Sequence, residues 1–417
     1  AMAALGVPTS RALSLAVSLD DASVAPVWRD RYYDGNVLGE RAAVVARIAP
    51  SWLRFGTLEF LHRRGEHHLL RDVVQWMLRE HPYHFDQLGD GSYDYERAFG
   101  MIAQRTARMA ALWQAVGFCH GVLNTDNLSL HGITIDFGPF GFIDAYDEDH
   151  VCNYSDRDER RYAFGKQQEV VHGNLLLLAD VFADLIATTT TSTTTTTATT
   201  TTSVAAVRQR LERRLKEEWY VPTYTSTYIS KMRAKIGYGD DVVDGVVMDT
   251  VGKLLEVLQQ HHLDYHYFFL LLEKAVVEAS PLPLLVLLDD SVGGGDGGGV
   301  SSRNSGSAAA DLSKWFEDYY LPTSGTINTT IMQHSNPRIV LRNHIADIAI
   351  HAAEDHDDFS EVDALAALLR DPYLLDDRHG CSPTATTATD DAARCAALLE
   401  RYGKPPQSPP MPVSCSS

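Results

Sequence analysis

The chain has 417 residues, a formal net charge of −19 and a hydrophobic fraction of 45%. That length is enough for two lobes with separate cores, and the acidity argues against a general nucleic-acid binder while leaving ATP open, because a few local arginines suffice. No run of about 20 apolar residues suited to a bilayer stands out, and five cysteines without a C-x-x-C pair argue against a secreted disulfide framework.

From the start, residues 11–49 alternate apolar and polar positions, with turn signals at Asp20-Asp21 and Asp34-Gly35-Asn36. The pattern predicts two or three strands of a small sheet. After Pro50-Ser51, residues 57–80 place Phe60, Leu61, Leu69, Leu70, Val73, Val74 and Met77 at helical spacing. Residues 92–116 predict a stronger helix whose stripe of Ile102, Thr106, Met109, Leu112, Trp113 and Val116 is a core face. It delivers the chain to a loop at His120. Beyond Asp144 the pattern is mostly helical, over 168–187, 204–219, 244–259, 261–278, 308–320, 336–353 and 360–369. A threonine tract at 188–203 and a Gly/Ser-rich stretch at 292–307 have nothing apolar to bury and predict disordered inserts. From Asp371 the chain is rich in loop signals, with a short helix over 390–402 and a Pro-rich tail to Cys415. The fold class expected is α+β.

Residues 117–144, GFCHGVLNTDNLSLHGITIDFGPFGFID, carry the chemistry. Asp126 and Asn127 sit together, and nine residues after Asn127 comes Asp136 in an Asp-Phe-Gly triplet. A short loop with a carboxylate and an amide, an apolar strand and a strand-end carboxylate is the layout of a kinase-type magnesium site. Mg²⁺ takes hard oxygen ligands and leaves room for phosphate oxygens. Asn127 and Asp136 offer such oxygens, and Asp126 can accept a hydroxyl proton. The alternative is a hairpin whose Asn and Asp residues only make turns. His120 and Asn127 stand seven apart, as the kinase catalytic loop H-R-D-x-x-x-x-N requires, and that favours the catalytic reading. The Asp position of that motif is Val122, which cannot take a proton. The nearest carboxylate is Asp126.

The string HGVLNTDN…GITIDFGPFGFID resembles the selenoprotein O family, called YdiU in bacteria. So do ALGVPTSRALSLAV at 5–17, ARIAPSWLRFGTLEF at 46–60, CNYSDRDERRYAF at 152–164, NPRIVLRNHIADIAI at 336–350, DFSEVDALAALLRDPY at 358–373 and the terminal SCSS. Apart from the two inserts, the resemblance covers nearly the whole chain. It implies a protein-kinase-like fold: a partial N-lobe over 1–56, a helical C-lobe over 57–380 with its catalytic and metal loop at 118–144, and a tail over 381–417. It also implies protein adenylylation, in which AMP moves from ATP to a Ser, Thr or Tyr hydroxyl of a protein substrate. Asp126 then resembles the proton acceptor. Asn127 and Asp136 resemble ligands of Mg²⁺, with Mn²⁺ as the alternative. Arg47 and Arg54, with Asp136, resemble the nucleotide-binding set. Cys152 and Cys415 resemble a redox pair. No nucleic-acid or membrane partner is expected. The family implies a mitochondrial location in a eukaryote and a cytoplasmic one otherwise.

In the family, the point matching Ala1-Met2-Ala3-Ala4-Leu5-Gly6 lies after a Gly-rich phosphate loop, an ATP-binding lysine and a helix glutamate. The expectation is a fragment that is less active than a chain carrying them. Two other functions remain, an ordinary γ-phosphate kinase and a non-catalytic nucleotide-binding pseudokinase. Cys119 is expected beneath the loop. His67-His68 and His261-His262 with His266 read as solvated or packed histidines rather than a metal site.

Overall fold

The alternating segment before Pro50 folds into short strands that pair two by two. In the computed structural model, β1 (Arg11–Val17) runs antiparallel to β4 (Ala43–Ile48), and β2 (Val27–Arg29) to β3 (Leu38–Glu40). The residues described are 1–18, 27–29, 38–40, 42–82, 85, 94–192, 203–288, 303–323, 325 and 327–373. The tail helix expected over 390–402 and Cys381, Cys395 and Cys415 lie outside them. The β1–β4 pair buries little: Leu13, Leu15, Val44 and Val45 are all exposed.

The single helix expected over 57–80 is two, α1 (Phe55–Arg63) and α2 (His67–Glu80). Gly65, with φ +69°, turns the chain between them in a left-handed conformation that glycine adopts without steric cost. α3 (Tyr95–Ala115) begins at Asp94, whose carboxylate accepts the backbone N–H groups of Glu96 and Arg97 at 2.9 and 3.1 Å and so satisfies two of the helix's free donors. α4 (Gln167–Ser192) runs five residues into the threonine tract. Its core-facing part contradicts the absence of a bilayer-length segment. The helical run Phe164–Ala187 is long enough to cross a membrane and holds an 18-residue window apolar enough to do so, at a mean hydropathy of 1.7. Polar Gln167, His172, Asn174, Asp180 and Asp184 divide that run, which hides it from a search for continuous apolar residues. In the fold Val171, Leu175, Leu178, Ala179 and Phe182 are buried within the first core cluster.

α5 (Val204–Arg214) passes through a π-helical turn at Leu215–Trp219 into α6 (Tyr220–Lys235). Sequence periodicity gave no helix over 220–235. Its aromatic and β-branched residues are poor helix formers, and packing of Ile229 and Met232 into the core overrides them. α7 (Asp244–His261) and α8 (Tyr265–Glu278) follow, then a 3₁₀ stretch at Leu282–Leu288. α9 (Arg303–Lys314) starts inside the expected Gly/Ser insert, and a π turn at Trp315–Tyr320 leads to α10 (Leu321–Thr323). The helix expected over 336–353 is instead an extended link that follows α11 (Thr329–Ser335), and then most of α12 (Asn343–His356). Pro337 disfavours helical geometry at Asn336, which takes φ −106° and ψ 103°. α13 (Ser360–Leu368) packs on α12.

Two large cores result. Trp113, Phe99, Phe118 and Phe182 anchor the first, and Phe268, Trp315, Tyr320 and Tyr265 the second. α3 borders both, and its C-terminus feeds β5 (Phe118–Cys119), which pairs with β6 (Gly141–Phe142) around the intervening loop. The architecture is α+β, mostly helical with small two-stranded sheets.

Candidate active site

The loop between β5 and β6 is held by its own carbonyls. Three successive ones accept from three asparagine side chains: Gly121 from Asn153 at 3.3 Å, Val122 from Asn127 at 3.0 Å and Leu123 from Asn174 at 2.8 Å. Gln167, fully buried, accepts from the His120 backbone N–H and donates to the Phe118 carbonyl, each at 2.9 Å. Each such bond contributes about 0.5–1.5 kcal/mol net, and leaving one of these buried groups unpaired costs more. Phe118 packs beneath the loop, completely buried, with ring centroids of Phe140 and Phe142 at 5.7 and 5.5 Å. Burial of such a ring stabilises the floor by about 2–3 kcal/mol.

Thr125–Asn127 form one 3₁₀ turn that presents Asp126 outward and Asn127 half-buried. Asn127 uses its Nδ2 on the Val122 carbonyl, so Oδ1 is the atom it has for a cation. Gly56, in the first turn of α1, has no side chain where a Cβ would collide with the Asp126 carboxylate. Asp126 therefore lies against a helix N-terminus, where an anion is favoured. Thr125 donates its hydroxyl to Glu59 on α1 at 2.7 Å.

Arg54 precedes α1, and its guanidinium donates to the Asp126 backbone carbonyl at 2.7 Å. Arg47 on β4 donates to the Ile135 carbonyl at 2.7 Å, one residue before Asp136, and lies 5.2 Å from the Trp52 ring. The apolar strand expected before Asp136 is not formed: the segment makes isolated β-bridges at Thr134, whose backbone N–H and C=O bond to Pro8 and Ser10 and whose hydroxyl accepts the Trp113 indole N–H. Among the described residues, neither Asp126 nor Asp136 belongs to an ion pair, and neither do Arg47 and Arg54. Two uncompensated carboxylates, an amide oxygen and two uncompensated guanidinium groups are a donor set for a divalent cation and for phosphate oxygens.

His120, fully buried between Trp113 and Phe118, is held neutral. Burial lowers its pKa to about 4, against the opposing pull of Asp136. Cys152 is also buried, with Sγ 3.4 Å from the Cys119 carbonyl. Contact with the Cys119 thiol, together with burial, pushes its own thiol well up, which suppresses thiolate reactivity. Both thiols are free.

The structure thus brings Arg54 to Asp126 and Arg47 to the residue before Asp136, with Asn127 on the same turn as Asp126. Sequence reading missed Gly56, Glu59, Asn153, Gln167 and Asn174. Asn153 carried a signal, because it stands inside the distinctive stretch beginning at Cys152. Gln167 and Asn174 reach partners 47 to 51 residues away, beyond any local pattern.

The family described as Protein adenylyltransferase SelO matches residues 1–370. Among curated relatives, the chain is 35% identical over 378 residues to "Protein nucleotidyltransferase YdiU" of Cupriavidus metallidurans, covering 89% of this chain and 62% of the relative. The protein of the same description from Pseudomonas paraeruginosa is 33% identical over 378 residues, covering 89% and 66%. The chain therefore spans less than two thirds of the length of either relative. With the match running through β1, α1 and the loop that carries Asp126, Asn127 and Asp136, the chain belongs to the SelO family.

Proposed function

We propose that this chain forms the nucleotide and metal centre of a protein adenylyltransferase with a protein-kinase-like arrangement. It would move AMP from ATP to a Ser, Thr or Tyr hydroxyl of a protein substrate, with the bond between the α- and β-phosphates broken and pyrophosphate released. The observation that carries this reading is the pairing of Arg54 with the Asp126 turn and of Arg47 with the Ile135 carbonyl beside Asp136. The relatives named as protein nucleotidyltransferases support nucleotidyl transfer, and small N-terminal strands followed by helices support the kinase-like arrangement.

Asn127 Oδ1 and the Asp136 carboxylate fit a hard divalent cation, Mg²⁺ or Mn²⁺. Such an ion supplies charge neutralisation to the phosphates. Arg47 and Arg54 orient phosphate oxygens through planar donor forks. Their alignment is set by the backbone carbonyls they hold. Asp126 accepts the proton of the incoming hydroxyl. Its carboxylate is carried on a turn braced by Thr125 to Glu59 and by Asn127 to Val122, which restricts the reacting geometry.

The test is incubation of the protein containing this chain with acceptor proteins and ATP labelled separately on the α- and γ-phosphates. Incorporation of α-label alone is expected. Transfer of γ-label would replace this reading with an ordinary kinase.

A further inference from the structure

We propose that His62, His67 and Asp184 bind one zinc-type transition-metal cation, which clamps the corner between α1 and α2 onto α4. His62 lies in the last turn of α1, His67 opens α2 after the Gly65 turn, and Asp184 stands on α4. The three segments converge so that one ligand atom from each residue lies within 4.8 Å of the others. His62 Nδ1 is 3.2 Å from Asp184 Oδ2, yet this buried nitrogen has no hydrogen-bond partner among the described residues. The two atoms are close without being aimed at each other. Lone pairs that converge on a shared point give that arrangement. Neighbouring ligand atoms on a tetrahedral zinc ion, at bond lengths of about 2.0–2.2 Å, stand roughly 3.3 Å apart.

The rings of His62 and His67 meet edge to face, with centroids 6.4 Å apart and planes at 81°, so their nitrogens approach from different directions. His67 is exposed and can swing inward by side-chain rotation alone. His62 and Asp184 border a groove of about 370 Å³ that is also lined by Glu59, Arg63 and Asp180. Glu59 is ion-paired with Arg63, and Asp180 with Arg208; the donor set of the cluster itself is two imidazoles and the Asp184 carboxylate. Two nitrogens and one oxygen suit a borderline cation and give Mg²⁺ little advantage. The fourth position opens to water in the groove. This separates the site from the oxygen set at Asn127 and Asp136. The clamp would fasten α1, which carries both Glu59 beneath Thr125 and the Gly56 seat of Asp126.

The experiment titrates the chelator-stripped protein with ZnCl₂ by calorimetry and repeats the titration with CoCl₂ by visible absorption. One equivalent of Zn²⁺ is expected per site, with micromolar or tighter affinity, a tetrahedral Co²⁺ spectrum and a metal-dependent rise in the thermal midpoint. His67→Ala removes an exposed side chain and leaves the fold intact. It should weaken Zn²⁺ by at least about tenfold and abolish the midpoint rise, as should Asp184→Asn. No binding at millimolar Zn²⁺ would overturn the proposal, and so would undiminished affinity and midpoint rise in His67→Ala. Should Asp184→Asn fail to fold, His67→Ala alone decides. An Asp136→Ala control, expected to keep this Zn²⁺ equivalent, separates the site from the one proposed for the nucleotide.

Discussion

Two regions of the molecule each set guanidinium groups beside aspartates and reach opposite electrostatic ends. Arg342, only 3% exposed in its side chain, donates to both oxygens of Asp264 at 2.6 and 2.9 Å and to Asp144 at 3.3 Å. That network is closed by one guanidinium shared between two carboxylates, and it ties the link before α12 to the start of α8 and to Asp144 just after β6. Arg47 and Arg54 instead donate to neutral backbone carbonyls, beside carboxylates that have no ion-pair partner among the described residues. Their charge is positioned without being cancelled. The lesson is that residue type does not separate neutralised from uncompensated arginines. The identity of the acceptor does.

The sharpest way to break this comparison is at the open region. Asp126→Ala should slow AMP transfer by about 10²–10⁴-fold, the usual contribution of a positioned acid–base group. Mg·ATP affinity should stay near wild type, whereas Asp136→Ala should abolish Mg²⁺-dependent nucleotide binding. Steady-state rates and calorimetry separate these outcomes, and unchanged Mg·ATP affinity in Asp136→Ala would remove Asp136 from the metal set.

At the closed region, Arg342→Met should lower unfolding free energy by about 3–5 kcal/mol, because among the described residues buried Asp264 keeps only the Tyr267 backbone N–H and half-buried Asp144 loses its guanidinium. Urea titration checks this, and a loss below 1 kcal/mol would show that the network relaxes into water.

A third measurement uses pH. Burial raises the Asp144 carboxyl to about 6, with Arg342 pulling it down and Asp264 pushing it up. Between about pH 4 and 6 the folded protein therefore holds a proton that the unfolded chain has released. The stability contribution of Asp144 falls as pH rises through that window. Relative to Asp144→Asn, the wild type should lose about 2 kcal/mol between pH 4.5 and 7. A gap independent of pH would show that Asp144 titrates normally.

The smallest effect belongs to Arg54→Gln. Only one hydrogen bond to a carbonyl is lost, so stability should change by about 1 kcal/mol or less. Nucleotide affinity should still fall measurably. A large stability loss would place Arg54 with Arg342 as a structural arginine.

The helix α3, the loop between His120 and Asp144 and the Asp126-Asn127 and Asp136 positions were legible because each rests on local spacing. The α1–α2 corner was not, since a single Gly65 interrupts a stripe that otherwise continues. Nor was α6, where weak intrinsic propensity is overruled by burial of Ile229 and Met232. The link at Asn336-Pro337 was readable in principle from the proline and was overlooked in favour of apolar periodicity. Cys152 carried a family resemblance toward Cys415, which lies outside the described residues; among the described residues its neighbour is Cys119 on β5.

By itself the sequence determined the elements whose signal lies within a few residues: the α3 stripe, the Asp-Phe-Gly triplet after an apolar segment, the His120 to Asn127 spacing and the family to which these motifs belong. Only the tertiary structure decided which side chains hold the catalytic loop, why Gly56 must lack a Cβ, which arginines are neutralised, and that His62, His67 and Asp184 converge. The physical reason is that hydrogen bonds, close approaches and charge compensation depend on distances between segments far apart in the chain, whereas helical and strand periodicity is written into neighbouring residues.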